Sequence, residues 1–387
     1  MAYTIVYIFK SMAQLAGTER ILSDKMNYFA NDKNYNIHIV TYEQGSHSIA
    51  YPLSNRIKHT DLNVLFYTKH GHNILKRILL YFKMRCEFKK RLYNLIKDIK
   101  PDIIISTTYS YPQLDIIIKA PGNAIHILET HIERKAILKI TDFINKPILY
   151  QLAYLYDKYM IHIVKKYDAF IALTQHDAQE WKELKNVHII PNFLTYYPPQ
   201  ASSLNEKTII SVGRLHQQKG YDILIDAWSI VAEKHKEWIL NIYGSGSDKD
   251  ILQNKINNKQ INNSCLIHDS TPDIYNKYLE SSIYVMSSRY EGFGLVLIEA
   301  MACGLPCISF DCPWGPSDII KNNEDGILIE NGNYKKLAEC ICRLIENEEI
   351  RKRMGKNARI NVQRYLPQNI IGKWEELFSS LLIEYRK

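Results

Sequence analysis

The feature that most constrains this fold is an alternation of strand and helix patterns along most of the 387 residues. Short runs of β-branched and aromatic residues, bounded by turn residues, predict strands in the first half. These strands are Thr4–Phe9, Asn36–Thr41, Asp102–Ser106, Ala124–Leu128, Ala169–Leu173 and Val187–Ile190, and helical patterns lie near Glu19–Asn31, Leu75–Ile99, Leu149–Lys166 and Asp177–Lys185. Such alternation predicts a parallel sheet with helices on both faces.

The same alternation starts again after a break in the pattern. Pro191–Lys207 is rich in proline, serine and asparagine, which predicts a linker. The strands predicted beyond it are Thr208–Val212, Trp238–Tyr243, Cys265–His268, Ile283–Met286, Pro306–Asp311 and Gly326–Ile329, and the helices include Tyr221–Lys234, Tyr334–Glu346, Glu349–Arg364 and Gln368–Arg386. We therefore predict an α/β protein of two doubly wound, Rossmann-like domains that face a central cleft, with ligands at the carboxyl ends of the strands.

Composition excludes several classes of protein. Hydrophobic residues make up 46% of the chain and charged residues 23%, which is typical of a well-cored globular protein. No long stretch is free of charge, so we expect no membrane-spanning helix. Met1–Phe9 lacks the basic start and cleavage site of a signal peptide, so we expect a cytoplasmic protein. The seven cysteines are odd in number and show no CxxC spacing, which argues against a zinc site and a disulfide framework.

Positive charge is concentrated in one segment. Lys69–Lys100 contains ten Lys or Arg and two acidic residues, an excess that equals the +8 of the whole chain. Apolar residues are interleaved with these charges, which is typical of a helix that lies on an anionic membrane surface. The solvated basic face of a packed helix would give the same pattern. A nucleic-acid surface is disfavoured because no reader motif accompanies the charge.

One segment of the second half combines a glycine turn with a buried charge. Arg289–Glu299 reads Arg-Tyr-Glu-Gly-Phe-Gly-Leu-Val-Leu-Ile-Glu, and its apolar run continues to Gly304, where a helix should end. The turn would place backbone N–H groups at a helix N-terminus, which favours an anion. Glu299 lies inside the apolar helix, where a carboxylate is costly unless it has partners. A ligand with both phosphates and hydroxyls, such as a nucleotide-sugar, would account for both features.

Two cations lie in a loop that follows a predicted strand. Arg214 and Lys219 come after Thr208–Val212 and just before a predicted helix. Cations at this place can neutralise a diphosphate and stabilise it as a leaving group. Either residue could be an ordinary surface charge, but the flanking glycines, Gly213 and Gly220, favour a functional loop.

These elements resemble those of the retaining family 4 glycosyltransferases, including members that build bacterial surface polysaccharides. Ser211–Gly220 is similar to the phosphate-binding element of that family, and Glu291–Pro306 to its paired-glutamate motif. Val187–Asn192, which ends in Ile-Pro-Asn, matches the close of its first domain. The resemblance implies a GT-B fold with an acceptor-side domain at 1–195, a nucleotide-sugar domain at 196–366 and a closing helix at 367–387 that crosses back onto the first domain.

The resemblance assigns roles to individual residues of the second half. Glu299 would bind the ribose hydroxyls, Glu291 would face the donor sugar, and Arg214 and Lys219 would hold the diphosphate. The residues implied to bind the donor are Gly17, Gly213, Arg214, Lys219, Glu291, Gly292, Phe293, Gly294, Leu295 and Glu299. The segment Asp311–Ile320 is interpreted as structural support on the donor side.

The resemblance adds candidates in the first half. Relatives often carry two adjacent glycines after strand one, and here Ala16 replaces the first of them while Gly17 remains. His131 follows a middle strand and would contact the donor sugar or orient the acceptor hydroxyl, with Glu129 as its neighbour. His126 is the competitor, but a histidine within a strand is usually a hydrogen-bonded core residue.

We therefore expect a retaining hexosyltransferase whose catalytic residues are His131, Glu291, Arg214 and Lys219. The donor would be a nucleotide-diphosphate sugar, with uridine favoured as the base, and the acceptor a saccharide, lipid-linked at the inner face of the membrane. No cofactor or metal is expected, because no DxD-like acid pair stands at the end of a predicted strand in the donor half. A sugar epimerase or phosphorylase of the same architecture and a non-catalytic nucleotide-sugar binder are the alternatives.

Overall fold

The chain folds into two compact units. The computed structural model describes residues 2–69, 71, 73–131, 134 and 146–385. The first unit consists of Met1–Leu173, Asp177–Ile190 and Lys373–Lys387, and the second of Thr174–His176 and Pro191–Gly372. Each unit is built around a parallel β-sheet of its own.

The first unit contains a seven-stranded sheet. Its strands are β1 (Thr4–Phe9), β2 (Asn36–Thr41), β3 (Lys58–Asp61), β4 (Ile103–Thr107), β5 (Ile125–Glu129), β6 (Ala169–Ala172) and β7 (Val187–Ile189). Their order across the sheet is 3-2-1-4-5-6-7, so the winding reverses between β1 and β4. Ile5 on β1 pairs with Ile37 on one side and Ile103 on the other. In doubly wound sheets this reversal is where ligands bind.

The second unit contains a six-stranded sheet of the same kind. Its strands are β8 (Thr208–Val212), β9 (Ile239–Tyr243), β10 (Cys265–His268), β11 (Ile283–Met286), β12 (Cys307–Asp311) and β13 (Gly326–Glu330). The order 10-9-8-11-12-13 places the reversal between β8 and β11. The chain leaves β8 into the loop of Arg214 and Lys219, and leaves β11 into the Arg289–Glu299 segment. Both sequence motifs therefore meet at the expected ligand position of this sheet.

Helices cover the strands of both units. In the first unit they are α1 (Gly17–Asn31), α2 (Ile74–Ile99), α3 (Leu114–Ile117) and α4 (Pro147–Val164), and α5 (Gln175–Gln179) lies at the boundary of the two units. The second unit has α6 (Tyr221–Lys234), α7 (Lys249–Asn258), α8 (Ile274–Leu279), α9 (Leu295–Ala302), α10 (Pro316–Ile319), α11 (Tyr334–Glu346) and α12 (Glu348–Asn361). The closing helix α13 (Pro367–Tyr385) begins in the second unit, and its residues from Lys373 onward belong to the first.

The prediction of two doubly wound domains is confirmed, and two local predictions are wrong. β3 was not predicted, because Lys58–Asp61 is a polar strand at the sheet edge whose pairing partner is β2. The helix predicted at Asp177–Lys185 is also wrong in extent. α5 ends at Gln179, and Trp181 and Leu184 are instead buried by successive turns, in which the N–H of Trp181 donates to the carbonyl of Ala178.

The closing helix is anchored in the first unit by aromatic packing. Trp374 is buried and its ring centroid lies 5.6 Å from that of Phe378. Phe378 in turn packs on Phe29 at 5.6 Å and edge-on to Tyr3 at 6.4 Å.

The state of the cysteines and the hydropathy of the helices follow from the side-chain contacts and the sequence of the described residues. All seven cysteines are free, six of them buried and Cys86 exposed. In the described part of the chain, no helix is long and apolar enough to cross a membrane.

Candidate active site

The loop after β8 is shaped by a glycine that no other residue could replace without strain. The turn Gln217–Lys219 ends at Gly220, which has φ of +62° and begins α6. A Cβ at Gly220 would stand 2.1 Å from the carbonyl oxygen of Ser287, which follows β11. The absence of a side chain therefore allows the two loops at the sheet reversal to touch.

Hydrogen bonds hold these two loops together. The Ser287 hydroxyl donates to the carbonyl of Lys219 at 2.9 Å, and the N–H of Arg289 donates to the carbonyl of Gln218 at 2.8 Å. The Arg289 guanidinium also forms a two-pronged ion pair with Asp222 on α6, at 2.7 and 2.8 Å. Paired contacts of this kind fix orientation as well as distance. Arg289 is thus a structural residue of the site that the sequence argument did not single out.

Lys219 and Glu291 form the central pair of the site. They are 72 residues apart in sequence, yet Lys219 Nζ lies 2.6 Å from Glu291 Oε1. The Ser288 hydroxyl donates to the same carboxylate oxygen at 2.5 Å. The side chain of Glu291 is 7% exposed and that of Lys219 is 19% exposed, so the pair is largely screened from solvent. The carboxylate holds the ammonium group at the glycine turn.

Arg214 is not drawn into this pair. Its side chain is exposed and, among the described residues, has no ion-pair or hydrogen-bond partner. All the donors of its planar guanidinium are therefore available to an anion. The neighbouring glycine turn at Gly244–Gly246 packs against this loop. Only glycine fits at position 244, since a Cβ there would lie 1.9 Å from the carbonyl oxygen of Gly213.

The glycine turn after Glu291 is supported by contacts with other segments of the second unit. Gly294 has φ of +93° and precedes α9, while Phe293 is buried against Tyr365 with ring centroids 5.6 Å apart. The segment interpreted as structural support does contact the turn: the N–H of Glu291 donates to the carbonyl of Pro313 at 3.2 Å, and a Cβ at Gly315 would lie 2.4 Å from the carbonyl of Phe293.

The backbone of this turn offers free donors. The N–H groups of Gly292, Phe293, Gly294 and Leu295 donate to no other described residue. They lie at the N-terminus of α9, where the helix dipole favours negative charge. The helix ends as its sequence predicts, with Gly304 at φ of +79°.

Glu299 is held on α9 apart from the central pair. It is 6% exposed and accepts a hydrogen bond from the Tyr278 hydroxyl at 3.4 Å. Burial, and then the charge of Glu299, raises the pKa of Tyr278 well above its ordinary value. Tyr278 therefore stays protonated and remains a donor to the carboxylate. This hydrogen bond offsets part of the free-energy cost of burying the Glu299 charge in an apolar helix.

The first unit contains a buried cluster of three titratable side chains, which includes His131 and its expected neighbour Glu129. Glu129 Oε2 lies 3.0 Å from His131 Nε2, and Lys25 on α1 places its ammonium 2.5 and 2.6 Å from the two oxygens of Glu129. The ring of Trp374 lies 4.4 Å from Lys25 Nζ, a cation–π contact. Burial raises the pKa of Glu129, but Lys25 and His131 outweigh it, and the pKa lies below its ordinary value.

Lys25, like Arg289, was not predicted from the sequence. A signal was present, because Lys25 lies four residues after Ile21 and four before Phe29, both buried. It therefore occupies the apolar stripe of α1 rather than its polar face. Gly17, by contrast, is exposed as the first residue of α1.

The interpretation of His126 needs a correction. It lies in β5 and is buried as expected, but its Nδ1 has no hydrogen-bond partner among the described residues. Burial lowers the pKa of His126 to about 4, so the ring is neutral at physiological pH. The core therefore holds an uncharged His126 ring whose Nδ1 forms no hydrogen bond with a described residue.

One group of described side chains has the geometry of a metal site, and it is remote from these residues. His235, Cys342 and Glu346 bring their ligand atoms within 4.8 Å of one another. His235 follows the far end of α6, a 14-residue helix that spans about 21 Å from Gly220. Burial raises the pKa of the Cys342 thiol, which disfavours the thiolate that metals require.

Comparison with known proteins agrees with this geometry. The family model described as "Glycosyl transferases group 1" matches residues 196–361. An uncharacterized glycosyltransferase of Haemophilus influenzae is 28% identical over 375 residues, covering 96% of this chain and 98% of that protein. The poly(ribitol-phosphate) alpha-N-acetylglucosaminyltransferase of Staphylococcus aureus is 33% identical over 231 residues, but the match covers only 58% of this chain and 46% of that protein.

Solved structures share the fold at low sequence identity. A variant of S. aureus TarM, crystallised with fondaparinux, alpha-GlcNAc-glycerol and UDP, has a TM-score of 0.75 at 18% identity, covering 97% of this chain and 99% of that one. The lipopolysaccharide outer core galactosyltransferase WaaB has a TM-score of 0.74 at 19% identity, covering 97% and 99%. The resemblance found in the sequence is confirmed: the chain has the GT-B fold, and its residues 196–361 match the group 1 glycosyl transferase family.

Proposed function

We propose that this protein is a retaining hexosyltransferase that moves a hexose from a uridine diphosphate sugar to a saccharide acceptor during assembly of a cell-surface polysaccharide. The observation that carries the proposal is the 2.6 Å pair of Lys219 and Glu291 beside the free N–H groups of the turn at 292–295. This arrangement offers a cation and backbone donors to phosphates, and a carboxylate to sugar hydroxyls. Relatives named for poly(ribitol-phosphate) glycosylation and for amylovoran biosynthesis support the class of product.

Both Lys219 and Arg214 would stabilise the negative charge that develops on the leaving group. Cleavage of the sugar–oxygen bond leaves negative charge on the diphosphate, and preorganised donors stabilise that charge best. Lys219 is held in place by Glu291, while Arg214 is free to pair with a phosphate in two-pronged fashion. Glu299 would receive the ribose, and His131 would act at the sugar or the acceptor hydroxyl. We propose that these groups replace a divalent metal in neutralising the diphosphate.

The donor assignment predicts ligand-specific stabilisation followed by acceptor-dependent turnover. A true donor at 100 times its Kd should stabilise the protein by about 2.7 kcal/mol, and its epimers by less, in a thermal-shift screen of UDP-sugars. UDP release should require an acceptor, drawn from a panel of methyl pyranosides, and should continue in EDTA. The anomeric proton of the product should show the α configuration by NMR.

Each other function has its own signature in that experiment. Interconversion of donor epimers without an acceptor would identify an epimerase, and stabilisation without any turnover would identify a binder. If no UDP-sugar stabilised the protein, the proposed donor would be wrong. If turnover were lost in EDTA, the proposal of a metal-free site would be wrong.

We also propose that α2 rests on an anionic membrane surface at the cytoplasmic face. Its first turns expose the apolar side chains of Ile74, Leu75, Ile78, Leu79 and Phe82. Two of its arginines are used within the fold, since Arg85 pairs with Asp115 at 2.6 Å and Arg91 with Glu87 at 2.6 Å. The exposed residues Lys76, Arg77 and Lys83 have no ion-pair partner in the described part of the chain. Positions 70 and 72, at the start of the basic stretch, lie outside the described residues.

Charge removal from α2 should weaken membrane binding. Each basic residue near an anionic surface contributes about 1 kcal/mol, so replacing Lys76, Arg77 and Lys83 by glutamine should weaken binding roughly 100-fold. The measurement is co-sedimentation with vesicles of phosphatidylglycerol and phosphatidylcholine. A matched variant removes three exposed charges of the second unit, Lys236, Arg353 and Lys356. Equal binding by the two variants would show that α2 is simply a solvated basic helix.

A further inference from the structure

A tyrosine-lined cavity in the first unit has no part in the donor site described above. Its volume is about 450 Å³, within the usual range of small-molecule pockets. Its aromatic lining consists of Tyr42, Phe66, Tyr67, Tyr81, Tyr109 and Tyr156. Its polar lining consists of Lys10, Glu43 and Gln113.

The cavity lies along the edge of the sheet that carries His131. Lys10 follows β1, Tyr42 and Glu43 follow β2, and the segment that contains Gln113 follows β4. β5 is the next strand after β4, and Glu129 ends it. All these strands are parallel, so their carboxyl ends lie along one edge of the sheet. The cavity and His131 are therefore both found at that edge.

The floor of the cavity is preformed. Tyr42 and Phe66 are buried, and their rings meet edge-to-face with centroids 6.0 Å apart. Tyr42 also packs edge-on to Phe88 at 5.3 Å, and its hydroxyl donates to Ser110 Oγ at 3.2 Å. Rings fixed from two sides lose little entropy when a ligand settles on them.

The polar groups of the cavity are incompletely satisfied. Gln113 is 5% exposed, yet its side-chain amide has no hydrogen-bond partner among the described residues. Glu43 is 8% exposed and pairs with Lys10 at 3.2 Å, leaving further acceptor sites on the carboxylate. The Gln113 amide and the Glu43 carboxylate can therefore both form hydrogen bonds with the hydroxyls of a ligand in the cavity.

We propose that this cavity binds one pyranose ring of a neutral saccharide acceptor, an inference that rests on the proposed function. The tyrosine rings provide apolar surfaces for the C–H faces of the sugar, and Gln113 and Glu43 provide partners for its hydroxyls. Lys10 and Glu43 offset each other, so the cavity has no net charge to attract a phosphate. This lining favours a sugar acceptor over the polyol phosphates for which two relatives are named.

The test measures binding of methyl β-glucopyranoside, methyl β-galactopyranoside and methyl N-acetyl-β-glucosaminide to the full chain in the presence of UDP, by saturation-transfer NMR. We expect at least one pyranoside to bind, and Tyr156→Ala and Gln113→Leu each to raise its Kd about five- to tenfold. Tyr154→Ala is the matched control, because Tyr154 lies on the same helix and is 43% exposed, against 42% for Tyr156. It should leave the Kd unchanged.

The outcomes separate this inference from the proposed function. Absence of pyranoside binding, equal binding by all three variants, or binding of ribitol phosphate or glycerol phosphate in place of the pyranosides would overturn it. UDP affinity is measured in the same samples and reports on the donor site. Loss of UDP binding with pyranoside binding retained would count against the proposed donor and leave the cavity assignment standing.

Discussion

Lys219→Met should lower kcat/KM for sugar transfer by about 10²- to 10³-fold while the protein remains folded. Removal of one preorganised group that stabilises charge in the transition state costs about 3–4 kcal/mol. Lys219 is such a group, because its ammonium is held 2.6 Å from Glu291 beside the free N–H groups of the glycine turn. The measurement is steady-state transfer from the UDP-sugar identified by thermal shift, with the Tm of each variant recorded alongside.

Two companion variants show whether the effect belongs to the site. Lys255→Met removes an ion pair of similar length on the outer helices, where Nζ lies 2.5 Å from Asp226, and should leave kcat/KM within twofold. Glu291→Gln should reduce turnover as well, and the double variant should lose less than the product of the single losses, because the two groups act as a unit. Lys219→Met with turnover near that of Lys255→Met would remove Lys219 from the catalytic residues.

The second unit could be predicted almost completely because its signals are local. Each buried strand is a short apolar run, and the two motifs follow β8 and β11, which are neighbours in the sheet. What the residues alone could not provide is the pairing of Lys219 with Glu291, since contact over 72 positions depends on the order of strands. Arg289 was overlooked for the same reason, because its partner Asp222 lies on the helix of the other motif.

The first unit was harder to predict because its site depends on contacts between distant segments. Glu129 was expected beside His131, but Lys25 comes from α1 and Trp374 from the closing helix. A lysine on the apolar stripe of a helix suggests burial, but only the fold identifies the carboxylate that compensates it. The tyrosine cavity is likewise assembled from segments that are far apart in sequence, namely those after β1, β2, β3 and β4 and the helices α2 and α4.

Lys25→Met should lower the free energy of unfolding of the first unit by about 3–5 kcal/mol at pH 7. Loss of one partner of a buried ion pair leaves the other charge buried and uncompensated, and a decrease in stability of this size is typical of that change. Glu129 is 1% exposed and would then keep only its contact with the imidazole of His131 among the ion-pair partners that the described residues provide. The measurement is urea unfolding followed by tryptophan fluorescence. Lys255→Met is again the control, because Asp226 is partly exposed and keeps Lys259 at 3.1 Å, and it should cost less than about 1 kcal/mol.

The pH dependence of this loss distinguishes a buried charge from a simple packing defect. In the natural protein the pKa of Glu129 is depressed, so its ionised form stabilises the fold above the ordinary carboxyl pKa, and this stability is lost as pH falls through the folded pKa. Without Lys25, burial dominates and the pKa of Glu129 rises, so the variant gains stability as pH falls. The difference between the two proteins should therefore be larger at pH 8 than at pH 5. Lys25→Met combined with Glu129→Leu should recover most of the stability, since an apolar pair can replace a buried ion pair. A loss of equal size at both pH values, unrelieved by the second substitution, would mean that Lys25 acts through its packing against Trp374 rather than through its charge.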